Sequence, residues 1–251
     1  MRITSAGITN VGMKRQNNED NYLINDEVGV YVCCDGMGGH AGGEYASQIA
    51  VTTVEEVLAN IRDEGTADDA AGEDQITQEK IKYAVRLAGK RIYDRAQADP
   101  EFRGMGTTAV LLAFRDGKAY MAHVGDSRGY LIRGGEITQR TEDHSWVNEQ
   151  IKAGLITEEA AKHHRFRNII TRSLGFQEEV EIDTQVLRAE PGDLYLLCSD
   201  GLSNLVTGDE LRDLLVEKSF QTTARELIDL ANARGGDDNI TLVIARVDSL
   251  S

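Results

Sequence analysis

Two pairs of short segments in the middle of the chain constrain its fold more than any other feature. Thr107–Arg115 and Lys118–Val124 have a strand-like period of two and are separated only by an Asp-Gly pair. Arg128–Arg133 and Glu136–Arg140 follow, separated by Gly-Gly. Two-residue turns of this composition join antiparallel strands. The sequence therefore predicts antiparallel sheet through its centre.

Helices are predicted on both sides of these hairpins. Residues 44–62 and 78–98 carry hydrophobic side chains three and four positions apart, and Thr77 is a candidate N-cap for the second helix. The acidic stretch 63–75 between them is expected to be an exposed loop. Two further helices follow residue 200, and the first opens with a capping box at 207–210. No strict strand-helix alternation is present, so antiparallel sheets covered by helices are expected rather than a Rossmann-type sheet.

Composition excludes several classes of protein. The 251 residues carry a net charge of −15, which disfavours binding to nucleic acid or to an anionic membrane. No apolar run approaches the roughly 18 residues of a membrane helix, and residues 1–10 lack a signal-peptide pattern, so a cytoplasmic location is expected. Cys33, Cys34 and Cys198 lie in apolar runs, and three cysteines so placed favour buried thiols over a disulfide framework.

Four aspartates occupy the ends of predicted strands. Asp35, Asp126 and Asp200 each follow an apolar run, whereas Asp238 stands just before the last one. A single aspartate in such a position is a common turn residue. Four in one chain, if their strand ends converge, would repel one another and raise their carboxyl pKa values. Divalent cations would remove that conflict.

Oxygen ligands without thiolates or paired histidines favour Mg²⁺ or Mn²⁺ over zinc or copper. A two-metal site of this kind activates water and holds anionic oxygens, which suits phosphate esters. A structural calcium site remains an equal explanation of the carboxylates alone. Arg15, just before Glu19 and Asp20, suits phosphate, although it could instead pair with either acid on the surface. The Gly-rich turn 35–40 would let the backbone approach a ligand closely.

Seven short motifs, taken in order, are more specific than any one of them. They are Gly12-x-x-Arg15-x-x-Asn18-Glu19-Asp20, Asp35-Gly36-Met37-Gly38-Gly39-His40, Gly106-Thr107-Thr108, Gly125-Asp126-Ser127-Arg128, Thr171-Arg172-Ser173-Leu174-Gly175, Ser199-Asp200-Gly201 and Asp238-Asn239-Ile240-Thr241. With this set the chain resembles the bacterial type 2C, or PPM-type, metal-dependent serine/threonine protein phosphatases from about Ser5 to Val247.

The resemblance implies an α+β fold, a four-layer αββα sandwich of two stacked antiparallel β-sheets flanked by helices. It implies one domain over residues 1–251, with a flap at about 145–168 beside the active site. The sequence His164-Arg165-Phe166-Arg167-Asn168 stands where members of the family often carry proline after the histidine. The added Arg and Phe side chains favour an exposed loop, with substrate docking as the alternative.

The resemblance also implies a pair of Mn²⁺ or Mg²⁺ ions with a weaker third. Asp35 resembles the bridging ligand, and the Gly36 carbonyl would bind one metal. Asp200 and Asp238 would bind the other, and Asp126, together with Asp200, resembles the ligands of the third ion.

The remaining implied roles belong to residues around the metals. Glu19 and Asp20 resemble outer residues that hold metal-bound water, and Arg15 would bind the substrate phosphate. His40 would donate a proton to the leaving hydroxyl, with a hydrogen-bonded turn histidine as the alternative.

The expected activity is hydrolysis of phosphoserine and phosphothreonine by a metal-bound hydroxide, without a phospho-enzyme intermediate. Phosphorylated proteins are the expected partners, including a serine/threonine kinase whose action the enzyme opposes. Three alternatives remain from the sequence. They are a catalytically silent phosphoprotein-binding regulator of the same fold, a structural cation-binding protein, and an enzyme acting on a small phosphomonoester.

Overall fold

Antiparallel strand pairs organise the molecule, as the hairpin turns predict. The computed structural model describes residues 1–38, 42–60, 70–217 and 219–250. The predicted proton donor His40 and residues 63–69 of the predicted loop lie outside these ranges.

Twelve strands are present in the described residues. They are β1 (Arg2–Asn10), β2 (Asn21–Asn25), β3 (Val30–Cys34), β4 (Gly36–Met37), β5 (Gly106–Thr107), β6 (Ala109–Arg115), β7 (Lys118–Val124), β8 (Arg128–Arg133), β9 (Glu136–Gln139), β10 (Asp183–Arg188), β11 (Leu194–Cys198) and β12 (Ile240–Ser249).

Seven α-helices lie in the same part of the chain, together with a 3₁₀ turn at Pro100–Phe102. They are α1 (Gly42–Asn60), α2 (Ala70–Ala98), α3 (Trp146–Lys152), α4 (Glu158–Lys162), α5 (Asp200–Ser203), α6 (Gly208–Glu217) and α7 (Phe220–Ala233).

The strands form two five-stranded antiparallel sheets. One has the order β1-β12-β11-β8-β9, and the other has the order β10-β7-β6-β3-β2. The short strands β4 and β5 pair separately beside them. The chain therefore crosses repeatedly between the sheets, which brings residues distant in sequence to a shared edge.

Central strands bury both of their faces. In β11, Leu194 and Leu196 pack on one side against residues of α6 and α7, whereas Tyr195 and Leu197 face the other sheet. Strand β3 behaves likewise, since Val32 packs towards α1 and α2 and its neighbours pack between the sheets. Successive side chains of a strand point to opposite faces. Three apolar layers therefore separate helix, sheet, sheet and helix, which confirms the predicted αββα sandwich.

The two predicted hairpins are present with the expected turns. Asp116 and Gly117, between β6 and β7, have φ values of +49° and +74°. Gly134 and Gly135, between β8 and β9, have φ values of +61° and +83°. Positive φ at both central positions matches the right-handed twist of the paired strands. These turns make β6–β7 and β8–β9 neighbours, one pair in each sheet.

The start of the second helix differs from the sequence-based prediction. Helix α2 begins at Ala70, so residues 70–75 are helical and Thr77 lies inside the helix rather than at its N-cap. Asp74 accepts hydrogen bonds from Lys118 and Tyr120 of β7. These tertiary contacts stabilise the early turns of α2 against the sheet, and periodicity alone does not reveal them.

Other sequence-based predictions hold in the structure. All three cysteines are free and buried. The capping box is formed, because the Thr207 backbone N–H donates to the Glu210 carboxylate over 2.9 Å. The short helix α5 was not predicted, and its four residues are too few to show a helical period. No helix in the described residues is both long and apolar enough to cross a membrane.

Replacing Leu197 tests the layer between the sheets. Leu197 is almost fully buried there, so Leu197→Ala should lower the free energy of unfolding by about 2–5 kcal/mol. Leu155→Ala is the matched control, because Leu155 is 70% exposed and should change stability little. Urea denaturation of both variants measures the difference, and equal stabilities would contradict the described packing.

Candidate active site and metal centre

The four strand-end aspartates meet at one edge of the sandwich. Asp35 follows β3 and Asp126 lies two residues after β7, both in one sheet. Asp200 follows β11 by two residues and Asp238 precedes β12, both in the other sheet. A cleft of about 820 Å³ opens between these ends. Its lining includes Arg15, Glu19, Asp35, Gly36, Asp126, Asp200 and Asp238.

Burial and mutual repulsion dominate the electrostatics of this edge. Burial, with the charges of Asp20, Asp200, Asp126 and Asp238, raises the pKa of Asp35 well above its usual range. Burial and neighbouring carboxylates likewise raise the pKa of Asp20 and of Asp126 to about 7 each. The pKa of Asp200 is raised by burial and by Asp238. Without a cation, therefore, the protein alone does not stabilise full ionisation of this group.

Several of these carboxylates have oxygen atoms with no partner. Oδ1 of Asp20, of Asp126 and of Asp200 is buried and accepts no hydrogen bond. A buried polar atom of this kind normally has a partner, because leaving it unpaired costs free energy. Carboxylates that line one cleft without thiolates suit hard divalent cations such as Mg²⁺ or Mn²⁺. The residues present therefore fit the expected metal group.

The Gly106-Thr107-Thr108 motif fixes the backbone of Asp35. The Asp35 carbonyl accepts hydrogen bonds from the Thr107 hydroxyl at 2.8 Å and from the Thr108 backbone N–H at 2.9 Å. The Asp35 N–H in turn donates to the Thr108 hydroxyl at 3.0 Å. Both threonines are fully buried. The motif is thus the clamp that holds the central carboxylate in place.

Asn239 fixes the opposite side of the cleft. Its side-chain oxygen accepts from the Glu19 N–H at 2.8 Å, and its amide nitrogen donates to the carbonyls of Val11 and Asn17 at 2.9 Å each. One buried side chain thus ties the loop of Arg15 and Glu19 to the Asp238 turn. The distance along the chain exceeds 200 residues, so only folding brings these groups together.

Gly201 permits the close approach of the turns that carry Asp200 and Asp238. A Cβ atom at this position would lie 2.0 Å from the carbonyl oxygen of Asn239. Any other residue would force the start of α5 away from the Asp238–Asn239 turn. The Asp200-Gly201 pair in the sequence therefore reflects a steric requirement as well as a turn.

Glu19 and Asp20, the two acidic residues expected to hold metal-bound water, are buried to different extents. Asp20 is buried behind the cleft, where its Oδ2 accepts from the Ser199 hydroxyl at 2.9 Å. Glu19 lines the cleft. Burial raises the pKa of Glu19, against the opposing charge of Arg15.

Arg15 points to the carboxylate cluster rather than to its sequence neighbours. Its Nη2 lies 2.7 Å from Oδ2 of Asp238, and half of the arginine side chain is exposed in the cleft. The surface ion pair with Glu19 or Asp20, the alternative suggested by the sequence, is not the contact formed. An exposed guanidinium beside a metal site is suited to an anionic substrate group.

Residues 145–168, the predicted flap, contain a cluster of their own aromatic side chains. Trp146 stacks on His164 with ring centroids 4.8 Å apart and meets Phe166 edge to face at 5.3 Å. Arg165 lies over the Phe166 ring. Arg165 is exposed, as the sequence favours, whereas Phe166 is half-buried against Trp146 of the same segment. Asn168, at the end of the segment, lines the cleft.

Part of the cleft wall was not assigned from the sequence. Arg172, Phe176, Glu179 and Glu181 line it beside the carboxylates, and Phe176 is 68% exposed. Arg172 belongs to the Thr171–Gly175 motif, but nothing in the neighbouring sequence predicts a chemical role for it. The other three lie in an irregular segment, where neither period nor spacing predicts that side chains face a cleft.

Comparison with known proteins agrees with this geometry. Residues 13–241 match the Protein phosphatase 2C family. The chain belongs to the protein phosphatase 2C family. A putative 2C-type protein phosphatase of Streptococcus pyogenes is 41% identical over 245 residues, covering 96% of each chain.

Solved structures are similar over almost the whole chain. The serine/threonine phosphatase PstP/Ppp of Mycobacterium tuberculosis superposes with a TM-score of 0.88 at 36% identity, covering 99% of this chain and 100% of that one. A PstP catalytic domain in complex with two manganese ions gives a TM-score of 0.83 at 36% identity, covering 98% and 99%. The predicted family, fold and phosphatase class are confirmed, and the catalytic interpretation is favoured over a silent regulator.

Neutralising one buried aspartate tests the repulsion at the site. Because the pKa of Asp126 is raised to about 7, folding favours its protonated form between pH 4 and 7. Wild-type protein in chelator should therefore lose stability relative to Asp126→Asn as the pH rises through that window. The two proteins should have similar melting temperatures near pH 4, and Asp126→Asn should have the higher melting temperature at pH 7.5.

Melting curves in chelator and in Mn²⁺ measure this prediction. Excess Mn²⁺ should reverse the order at pH 7.5, because the wild-type carboxylate gains a counter-ion. Asp229→Asn, on an exposed position of α7, is the control and should follow the wild type. A wild-type protein that gains stability over Asp126→Asn with rising pH in chelator would contradict the described electrostatics.

Proposed function

We propose that this phosphatase removes phosphate from serine and threonine side chains of other proteins with the help of divalent metal ions. The observation that carries the proposal is the convergence of Asp35, Asp126, Asp200 and Asp238, with unpaired buried oxygens, beside an exposed arginine. Solved relatives bearing the names serine/threonine phosphatase support the substrate class. The single domain over residues 1–251, with its flap at 145–168, is part of the same proposal.

The metal ligands follow the placement of the carboxylates. The charges of all the other site aspartates raise the pKa of Asp35. Asp35 is therefore suited to bind both ions, and the Gly36 carbonyl would bind one of them. Asp200 and Asp238 would hold the other, and Asp126 with Asp200 a weaker third. Oxygen-only donors accept Mn²⁺ or Mg²⁺, and the PstP complex with two manganese ions supports a pair. When bound, such a pair supplies an activated water and neutralises negative charge.

The protein's own side chains do the remaining work. Arg15 offers a planar fork of N–H donors that can bind two phosphate oxygens, once its contact with Asp238 is exchanged for substrate. It also stabilises the charge on the phosphoryl group during transfer. Glu19, at the cleft wall, and Asp20, behind it, would accept hydrogen bonds from water near the metals. His40, outside the described residues, remains the proposed proton donor to the leaving hydroxyl.

Phosphorylated proteins are the partners that this chemistry implies. A serine/threonine kinase and its substrates are proposed, because such a kinase makes the bond that the site breaks. A cytoplasmic location belongs to the same proposal, since ATP-dependent kinases supply these substrates there. Nucleic acid and anionic membranes are disfavoured as partners by the net charge of −15.

Removing one carboxylate charge tests the two-metal proposal. Asp35→Asn and Asp238→Asn should each abolish hydrolysis of p-nitrophenyl phosphate in Mn²⁺, because each removes an anionic ligand. Asp237→Asn is a matched control, since that exposed neighbour of Asp238 forms an ion pair with Lys14 and does not line the cleft. Release of p-nitrophenol with and without chelator is the measurement. Near-wild-type turnover in either site variant would remove the two-metal proposal.

Replacing Arg15 separates substrate binding from metal chemistry. Arg15→Ala should mainly raise KM for the phosphate ester, by roughly ten- to a hundredfold, because charge-assisted hydrogen bonds to phosphate are lost. Lys14→Ala should leave KM near the wild-type value, since Lys14 pairs with Asp237 rather than lining the cleft. Steady-state kinetics at saturating Mn²⁺ compare the two. An unchanged KM in Arg15→Ala would show that this arginine does not bind phosphate.

A further inference from the structure

Two buried histidines lie beside the metal site but outside the proposed chemistry. His123, in β7, and His144 stack with ring centroids 4.7 Å apart, and each is about 5% exposed. Asp183, opposite His123 in the β10–β7 pairing, completes a cluster whose ligand atoms lie within 4.8 Å of one another. That spacing would suit a metal ion. Whether the cluster could hold one depends on which ring nitrogens carry a proton.

The hydrogen bonds of His144 fix its tautomer. The Gly125 backbone N–H donates to Nδ1 of His144 at 3.1 Å, so Nδ1 carries a lone pair. Burial and the nearby His123 lower the pKa of His144, which keeps the ring neutral. Its proton is therefore on Nε2, which lies 3.3 Å from Oδ2 of Asp183. A metal on Nε2 would require the other tautomer, whose Nδ1–H would face the Gly125 N–H instead of accepting from it, so a metal site is disfavoured.

Gly125 is attached to His144 by a second bond. The His144 backbone N–H donates to the Gly125 carbonyl at 3.0 Å. Both backbone polar groups of Gly125 are therefore paired with one residue. Gly125 has a φ of +104°, and a Cβ atom there would lie 2.5 Å from the Thr108 side chain. The conformation of this turn is thus tightly defined, and it sets the direction of Asp126.

Asp126 lies between two such clamps. After it, the Ser127 hydroxyl hydrogen-bonds to the Thr108 hydroxyl at 2.7 Å, and Thr108 also holds Asp35. Before it, His144 holds Gly125. Asp126 itself is buried and its Oδ1 has no partner. Its side chain is therefore positioned by the backbone on either side, rather than by hydrogen bonds of its own Oδ1.

Asp183 joins this arrangement to the cleft wall. Its Oδ1 accepts from Arg172 at 3.0 Å, while its Oδ2 faces His144. Although burial opposes it, the hydrogen bond from His144 and the charge of Arg172 hold the pKa of Asp183 below its usual range. The Thr171 N–H also donates to the His144 carbonyl at 2.8 Å. Thr171, three residues past the proposed flap, and the Asp126 turn therefore share one anchor.

We propose that His144 is a positioning residue that holds the Gly125–Asp126 turn in its metal-binding geometry, and that Asp183 sets the tautomer that makes this possible. The inference rests on the proposed role of Asp126 as a ligand of the weaker third ion. A buried carboxylate held from its backbone loses affinity for a metal when the backbone moves, even though its own side chain is unchanged.

A pair of amide variants separates the two contacts of His144. Asn places an oxygen at the same number of bonds from Cα as Nδ1, so His144→Asn keeps an acceptor for the Gly125 N–H. Gln places an amide nitrogen at the position of Nε2, so His144→Gln keeps only a donor to Asp183. Asp183→Asn is a milder third variant, because Asp183 is partly exposed and its change leaves the buried ring in place.

Amide hydrogen exchange of the 251-residue chain without metal tests the clamp directly. The Gly125 amide in His144→Gln should exchange at least about tenfold faster than in wild type, because its buried N–H loses its acceptor. His144→Asn should stay near wild type, and Asp183→Asn should lie between them. Leu211→Ala, which destabilises the distant α6 layer, controls for general loss of stability and should not single out Gly125. Equal protection of Gly125 in His144→Gln and His144→Asn would overturn the proposal.

Calorimetric titration with Mn²⁺ then tests the consequence at the metal site. The weakest Mn²⁺ binding step should lose roughly tenfold in affinity in His144→Gln, with the tighter steps unchanged. A weakest step equal to wild type, alongside faster Gly125 exchange, would overturn the link from His144 to Asp126. A wild-type chain that binds no Mn²⁺ would overturn the proposed function and that link, while the exchange result would still decide whether His144 holds Gly125.

Discussion

Repulsion among crowded carboxylates is the constraint that this fold must overcome. Asp20, Asp35, Asp126, Asp200 and Asp238 influence one another at one edge of the sandwich, and partial or full burial removes much of the water that would otherwise separate their charges. A fold gathers such groups only if rigid contacts hold them against that repulsion. Backbone hydrogen bonds and close glycine contacts provide those contacts here, and a divalent cation would complete them.

The supporting contacts are distributed over both sheets. Thr107 and Thr108 hold Asp35, Asn239 holds the loop of Glu19, and His144 holds Gly125 beside Asp126. Each clamp uses the backbone of the site residue and leaves its carboxylate oxygens free. Because these supporting residues bond to the backbone, they can be buried polar residues that do not line the cleft beside the site aspartates. The same framework also holds Thr171, just past residues 145–168, through the His144 carbonyl.

The family membership agrees with the physical reading of the site but does not replace it. The acidic cluster, the unpaired oxygens and the exposed Arg15 would indicate an anion-handling metal centre without any relative. The relatives narrow that chemistry to phosphatases. The cleft wall of Arg172, Phe176, Glu179 and Glu181 differs in kind from the metal site, since it combines charge with an exposed aromatic ring.

Local sequence determined most of the elements and the strand-end aspartates, whereas tertiary structure decided how they are held. The Asp-Gly and Gly-Gly turns predicted both hairpins, because a two-residue turn with positive φ depends on its own residues. The strand-end aspartates were visible because each ends or begins an apolar run. The early start of α2 and the contacts of Arg15 and His144 were not, since their partners lie tens to hundreds of residues away. Such pairings are made only when the sheets stack, and no spacing along the chain records them.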